Sequence, residues 1–310
     1  NMNVSGEVDE IKDTGSCVTW DGNLLPGIWL TDKAISLASK RCKKEGVTTV
    51  LVGNSHHNGA LAAYMLPYVN KGLLILIKSS VPSSASVAPF GGTEPLLTPD
   101  PMSIAFPTNE NPVIIDISAS ITTNNMIGEK IVNNEKFDFD CLLTSDGIPT
   151  NDPLEVREKG GTVLPIGGME YGHKGFGLAL GIEALSQGLS GFGRFDEPKN
   201  MNLSTMVQVI DPEFFSGLDT FKKQAELISR LNYVHSYLAP ISTLHKTLEV
   251  NDREYPNDPF QLEQEFLFYR WGKIWNNIKI LLYFDITIGM VIRFDDIFIQ
   301  GAGKAPYYLA

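Results

Sequence analysis

A chain of 310 residues with 43% apolar, 20% charged and 10% aromatic residues is long enough for one large globular domain or two modest ones, and this composition excludes disorder and fibrous repeats. Thirty-six acidic against twenty-five basic residues leave a net charge of −11, which disfavours a surface that follows a phosphate backbone, so no nucleic-acid partner is expected. Three cysteines, Cys17, Cys42 and Cys141, are too few and too widely spaced for a disulfide framework or a tetrahedral zinc site, and they fit a reducing, cytoplasmic setting.

The opening NMNVSGEVDEIKD is acidic and polar, without the basic stretch and apolar run of a secretory leader. From Thr31 to Glu45 the pattern predicts an amphipathic helix, with Thr31 as its cap, Ala34, Ile35, Ala38 and Cys42 along the apolar face, and Gly46 as its stop. A β-branched run from Val47 to Val52 reads as a buried strand, and the polar turn GNSHHNG follows it. Gly59 to Val69 reads as a helix whose last turn is weakened by Pro67, and Leu73 to Ile77 as a second buried strand. This alternation predicts an α/β architecture.

Ser79 to Pro101 is a long connection dense in Pro, Gly, Ser and Thr, yet apolar enough to be ordered. Two further strands are expected over Met102 to Phe106 and Val113 to Ile117, the second ending in the polar turn DISASITTNN. Asn133 to Lys159 is irregular and polar. The stretch TVLPIGGMEYGHKGFGLALGIEALSQGL then passes from a short strand through a glycine-rich turn into a helix starting near His173. STMVQVID reads as a strand, and PEFFSGLDTFKKQAELISRL as a helix with Pro212 in its first turn. Beyond Asn232 the chain turns aromatic and asparagine-rich, with a strand-like DITIGMVIRF. Its longest apolar window, Ile278 to Ile292, carries Lys279 and Asp285 and falls short of the ~20 residues that span a bilayer. No membrane segment is expected.

Neither a GxGxxG fingerprint nor a GxxxxGK[ST] loop occurs, so a Rossmann or P-loop nucleotide site has no support, and GxSxG, HExxH and CxxC are absent as well. Three features remain. His56 and His57 stand in a polar loop after a buried strand, where they could cap a helix, exchange a proton with a ligand, or bind a metal; adjacent side chains diverge, and no acidic third ligand sits beside them, so no metal site is assigned. Lys174, between Gly172 and Gly175 at a helix start, is either a solvated lysine or an anchor that converges with backbone N–H groups on a phosphate or carboxylate. Asp116 with Ser118 and Ser120 either holds a ribose or makes an ordinary Asx turn.

Taken together, GNSHHNGALAAY, SVAPFGGTEPLLTPDPMSIAFPT, VIIDISAS, GIPTNDP and LPIGGMEYGHKGFGLAL resemble the malate/L-lactate dehydrogenase family of the second type, in the same order and spacing from about Gly15 to Asn232. Ureidoglycolate dehydrogenase, diketogulonate reductase and the piperideine-2-carboxylate reductases belong to that family. The resemblance implies a mixed-sheet, non-Rossmann α/β fold, an NAD- or NADP-dependent oxidoreductase acting on a small 2-hydroxy or 2-oxo acid, and a homodimer. It implies His57 as the acid/base residue, with Asn58 where the family has an aromatic residue. It also implies Asp116, Ser118, Ser120, His173, Lys174 and Gly175 at the cofactor. A carboxylate at the ribose would favour NAD over NADP.

Two family segments are missing: no D-S-H-G-V-x-R motif surrounds Met2, and no L-P-G-E-R stretch follows Asn232. The sequence therefore predicts an N-terminally truncated family-like core over residues 1–232 and a divergent or unrelated segment over 233–310. It keeps open a second function, a catalytically impaired relative that retains only the dimerising or dinucleotide-binding core. A metal-dependent hydrolase using the paired histidines would need a carboxylate near them in the fold. Malate, lactate, ureidoglycolate and a cyclic imine all stay open as substrates.

Overall fold

A computed structural model of the chain describes residues 2–227 and the backbone of 278–283 and 291–297. Strands β1 (Asp9–Asp13) and β2 (Cys17–Asp21) form a hairpin that leads into helix α1 (Gly27–Glu45) and strand β3 (Val47–Ser55). A 3-10 turn (Leu61–Tyr64) and the short helix α2 (Leu66–Val69) precede β4 (Leu74–Ser80), then β5 (Met102–Phe106) and β6 (Val113–Ile117). Helix α3 (Asn124–Val132), the small strands β7 (Leu142–Leu143) and β8 (Pro149–Thr150), helix α4 (Pro153–Glu158) and β9 (Thr162–Val163) follow. The chain continues through α5 (Gly168–Tyr171), α6 (His173–Glu183) with a π turn at its end, β10 (Leu203–Ile210) and a helix α7 (218–227). Strands β11 (Ile278–Tyr283) and β12 (Val291–Ile297) complete the order β1-β2-β3-β10-β4-β5-β6-β12-β11 in one sheet.

The sheet is mixed, as expected. β2 and β3 pair in parallel because the 19-residue α1 provides the crossover that parallel neighbours require. Every other pairing in the sheet is antiparallel. This arrangement brings the C-terminal ends of β2, β3, β4 and β6 to one edge, and the candidate residues gather there.

Strand alternation accounts for the main core. Val18, Val50, Val207, Ile77 and Ser103 stand in register across five strands. α1 covers this face with Leu30, Ala34, Ile35, Ala38 and Cys42, the stripe read from the sequence plus one earlier residue. The expected cap was misplaced. The helix begins a turn earlier, after Pro26, and Thr31 is buried within it. Gly46 does end it, in a left-handed conformation with its N–H on the Cys42 carbonyl.

The expected helix over Gly59 to Val69 is split, because Pro67 has no N–H to continue the hydrogen-bond ladder and instead opens α2. Similarly, Pro212 starts only a 3-10 turn, and the helix resumes at residue 218 after Gly217 takes a positive φ. The stretch read as irregular contains β7, β8 and α4; with β9 the strands form a small sheet ordered β8-β7-β9. A second core lies there, built from Val87, Leu97, Ala119, Ile127, Leu142, Val163, Ala179 and Ile182. The long connection is ordered by Val87, which bridges both Leu97 and Val163. Within 233–310 only the backbone of β11 and β12 is described, so the proposed boundary near residue 232 and the end of the helix expected to reach Leu231 lie outside the described residues.

Asp100, at the end of that connection, is fully buried with φ 46°. One carboxyl oxygen accepts the Thr98 hydroxyl, and the other, Oδ2, has no partner. Burial pushes its pKa up to about 8; the Thr98 bond opposes this, and Glu183 adds to it. The folded state thus keeps a proton that the unfolded chain releases near pH 4, so stability declines as pH rises from about 4 to 8. Asp100→Asn, which tolerates the same left-handed backbone, should match the parent near pH 4 and exceed it by about 1–2 kcal/mol near pH 8. Denaturant unfolding at the two pH values checks this; identical losses of stability in both proteins would overturn it.

Candidate functional site

The loop after β3 is seated on the start of α1. A Cβ on Gly27 would lie 2.0 Å from the His56 carbonyl oxygen and 2.7 Å from the His57 carbonyl carbon, so only glycine lets the helix approach the loop this closely. The His56 N–H bonds the Leu25 carbonyl at 3.0 Å. His56 is half-buried, and burial followed by the neighbouring His57 holds its pKa below the usual histidine range. His57 is exposed; its Nδ1 accepts the Gly59 N–H at 3.1 Å, which places the ring proton on Nε2 and turns that nitrogen outward. In this conformation His57 offers a donor to a ligand oxygen. To take a proton at Nε2 it must release Gly59, so that Nδ1 can carry the other proton.

Asp116 extends the register row that starts at Val18, so its carboxylate stands among core side chains at the end of β6. Ala62 stands in the first turn of the 3-10 helix, where backbone N–H groups have no intrahelical partner, and its N–H bonds Asp116 Oδ2 at 2.9 Å. Burial pushes the Asp116 pKa up to about 7 against the pull of that N–H. The loop bearing His57 and the end of β6 therefore meet.

Three residues on, the Ala119 carbonyl accepts the Ile166 N–H at 2.9 Å, and the Ile166 carbonyl accepts the Gly175 N–H at 3.1 Å. Residues 116 and 119 are at most about 11 Å apart along the chain, so the histidine loop and the start of α6 flank one short segment. His173 and Lys174 are exposed there; His173 packs edge-on to Phe90 at 5.5 Å, and Lys174 Nζ lies 5.3 Å from the centre of the Tyr171 ring.

Three residues that the resemblance places at the cofactor use polar groups within the chain. The Ser118 hydroxyl donates to the Ser120 carbonyl at 2.8 Å, and the Ser120 hydroxyl to the Thr122 carbonyl at 2.7 Å; both side chains are buried. Gly175 is buried, its N–H is used, and a Cβ there would lie 2.3 Å from Ile166 N. These residues shape the turn through its backbone. Among the described residues, no group of three or more His, Cys, Asp or Glu side chains is placed to hold a metal ion, and no helix is long and apolar enough to cross a membrane.

Sequence reasoning missed a polar cluster beneath the histidine loop, formed by Asn58, Ser79 and Thr205. Its signal was the pair of serines that follows the apolar run and Lys78 in β4.

The family model for malate/L-lactate dehydrogenase matches residues 1–235. The L-sulfolactate dehydrogenase of Methanocaldococcus jannaschii is 31% identical over 233 residues, 73% of this chain and 65% of that protein. The malate dehydrogenase of Pyrococcus abyssi is 30% identical over 240 residues, 74% of this chain and 65% of that protein. Among solved structures, malate dehydrogenase from Entamoeba histolytica shares the fold with a TM-score of 0.69 at 24% identity, covering 85% of this chain and 74% of that one. Sulfolactate dehydrogenase from M. jannaschii aligns with a TM-score of 0.63 at 27% identity, over 84% of this chain and 71% of that one. This chain spans about 65% of the length of the curated relatives it matches.

Proposed function

Because this chain belongs to the malate/L-lactate dehydrogenase family, we propose that it is an NAD(P)-dependent oxidoreductase acting on a small 2-hydroxy or 2-oxo acid, with His57 exchanging the hydroxyl proton. The observation that carries this reading is the exposed His57, held by Gly59 and Gly27 with Nε2 outward, on the strand edge that also bears Asp116. Nicotinamide, when bound, supplies the hydride chemistry. The donor set fits such a group. Exposed Lys174 and His173 at the start of an 11-residue helix provide positive potential for a diphosphate. Gly177, one turn on, has open space where a Cβ would stand. Asp116 supplies an acceptor for ribose hydroxyls, and its ionised form repels a 2′-phosphate, which favours NAD.

Chemically, the Nε2–H of His57 donates to the carbonyl oxygen of a 2-oxo acid and so stabilises the charge that develops there. Sulfolactate and malate, the acids that name the relatives above, each carry a second acidic group, and acids of that kind are the first substrates to test. Leu180, Leu185 and Leu189 leave an apolar stripe exposed along α6 and the turn after it, which a second copy would cover in a homodimer.

The test is titration of the purified chain with NADH and NADPH, followed by nicotinamide fluorescence and by turnover with pyruvate, oxaloacetate, sulfopyruvate and a cyclic imine. Micromolar binding, tighter for NADH, with turnover of at least one acid is expected. Binding without turnover would favour the impaired relative; failure of both nucleotides to bind would remove the cofactor assignment.

A further inference from the structure

Asn58 follows His57 directly and is 3% exposed, so the exposed histidine and the buried asparagine are one backbone unit. Its Nδ2 donates to Ser79 Oγ and to Thr205 Oγ1, each at 3.2 Å, and the two hydroxyl oxygens are themselves 3.2 Å apart. Ser79 and Thr205 are register partners on the adjacent central strands β4 and β10, and both are 1% exposed. The protons balance in one direction. The amide gives one hydrogen to each hydroxyl, Thr205 can donate to Ser79, and Ser79 donates to the Ser204 carbonyl at 3.4 Å. From the other side the Tyr64 hydroxyl donates to the Asn58 carbonyl. Both ends of residue 58 are thus fixed, one to the middle of the sheet and the other to the turn whose Ala62 N–H holds Asp116.

We propose that Asn58 is the positioning residue of this site: its amide, clamped across β4 and β10, sets the place and orientation of the His57 imidazole relative to the strand edge. A position so close to the reacting atoms has leverage, because a displacement of about 1 Å at a proton-transfer group can cost on the order of 100-fold in rate. An apolar residue of similar size cannot replace the clamp, since it withdraws the amide hydrogen from both buried hydroxyls and leaves Thr205 Oγ1 without a donor. The inference rests on the reading of His57 as the proton-exchanging group.

The experiment compares the parent chain with Asn58→Leu, Asn58→Asp and Ser79→Ala. Asn58→Leu is expected to lower kcat roughly 10- to 100-fold with little change in the NADH dissociation constant. Ser79→Ala, which removes one acceptor without touching the loop, should reproduce the direction to a smaller extent and carries the test if Asn58→Leu does not fold. In Asn58→Asp the two hydroxyls can reverse and donate to the carboxylate, so kcat is largely rescued, while the new charge beside His57 moves the pH profile to higher pH. Imidazole proton NMR, with the His57 signal assigned through His57→Ala, provides a readout independent of turnover. The His57 titration midpoint should rise in Asn58→Asp while that of His173 stays in place. Unchanged kcat in Asn58→Leu, or an Asn58→Asp titration identical to the parent, overturns the proposal. A His57 titration shifted in Asn58→Asp, together with a parent protein that reduces no 2-oxo acid, would instead leave the positioning role standing and remove the dehydrogenase reading.

Discussion

Replacing His57 with alanine is expected to lower kcat/KM for 2-oxo acid reduction by roughly 100- to 10,000-fold and to leave the NADH dissociation constant within about threefold of the parent. The asymmetry follows from where the side chain stands. The imidazole is exposed and contacts the protein through its Nδ1 bond from Gly59, so its removal opens no cavity and breaks one solvent-accessible hydrogen bond. The loop keeps its course, because Gly27 seats it from below and the backbone N–H of His56 holds it to Leu25. The residues that would hold the nucleotide, Lys174 and His173, start from α6 rather than from this loop. His56→Ala is the matched control: that ring is half-buried, burial keeps its charged form disfavoured, and its loss should change kcat/KM by less than about threefold. Steady-state kinetics of the two variants over pH 5 to 9 decides the matter. Equal losses in both would mean that the loop, rather than one imidazole, is what catalysis needs.

Much of this was legible in the sequence because long, periodic segments dictate their own structure. Strands β5 and β6 coincide with the expected Met102–Phe106 and Val113–Ile117, and α6 starts at His173 as the glycine-rich turn suggested. The failures share a cause. Thr31 has a good capping side chain, yet burial against the sheet took it into the helix and left the cap to Pro26. β7 and β8 are two residues each, too short to have a period, and exist because the small second core assembles them. At the site, Ser118, Ser120 and Gly175 could be located from the sequence, but the direction of their polar groups could not. Hydroxyls after a strand either reach a ligand or bond the next carbonyl, and only packing decides which. Asn58 was read merely as a departure from the family pattern, since its partners Ser79 and Thr205 lie 21 and 147 residues away.

Gly175 and Gly177, two residues apart on α6, should respond to alanine in opposite ways. At Gly175 the added methyl meets backbone on two sides, 2.3 Å from Ile166 N and 2.6 Å from the Ala119 carbonyl oxygen. Neither atom can turn aside as the end of a flexible side chain would, because the two are bonded to each other at 2.9 Å and carry the turn after β6. Relief requires α6 to move away from that turn, stretching the Gly175 N–H bond to Ile166 and opening the packing of Ala179 and Ile182 behind it. Overpacking of this kind costs about 3 kcal/mol or more, and at roughly 2–4 °C per kcal/mol the unfolding midpoint should fall by about 6–12 °C. Gly177 has nothing within 4 Å of the same added atom. There alanine removes only the backbone freedom of glycine inside a helix, and stability should rise by about 0.5–1 kcal/mol. Thermal unfolding of both variants, each with and without saturating NADH, separates a packing glycine from a ligand-contacting one. A Gly175→Ala protein as stable as the parent but unable to bind NADH would place Gly175 at the cofactor. A Gly177→Ala protein that gains stability alone yet loses the stabilisation by NADH would place the nucleotide against the open side of α6, the side on which Lys174 is exposed.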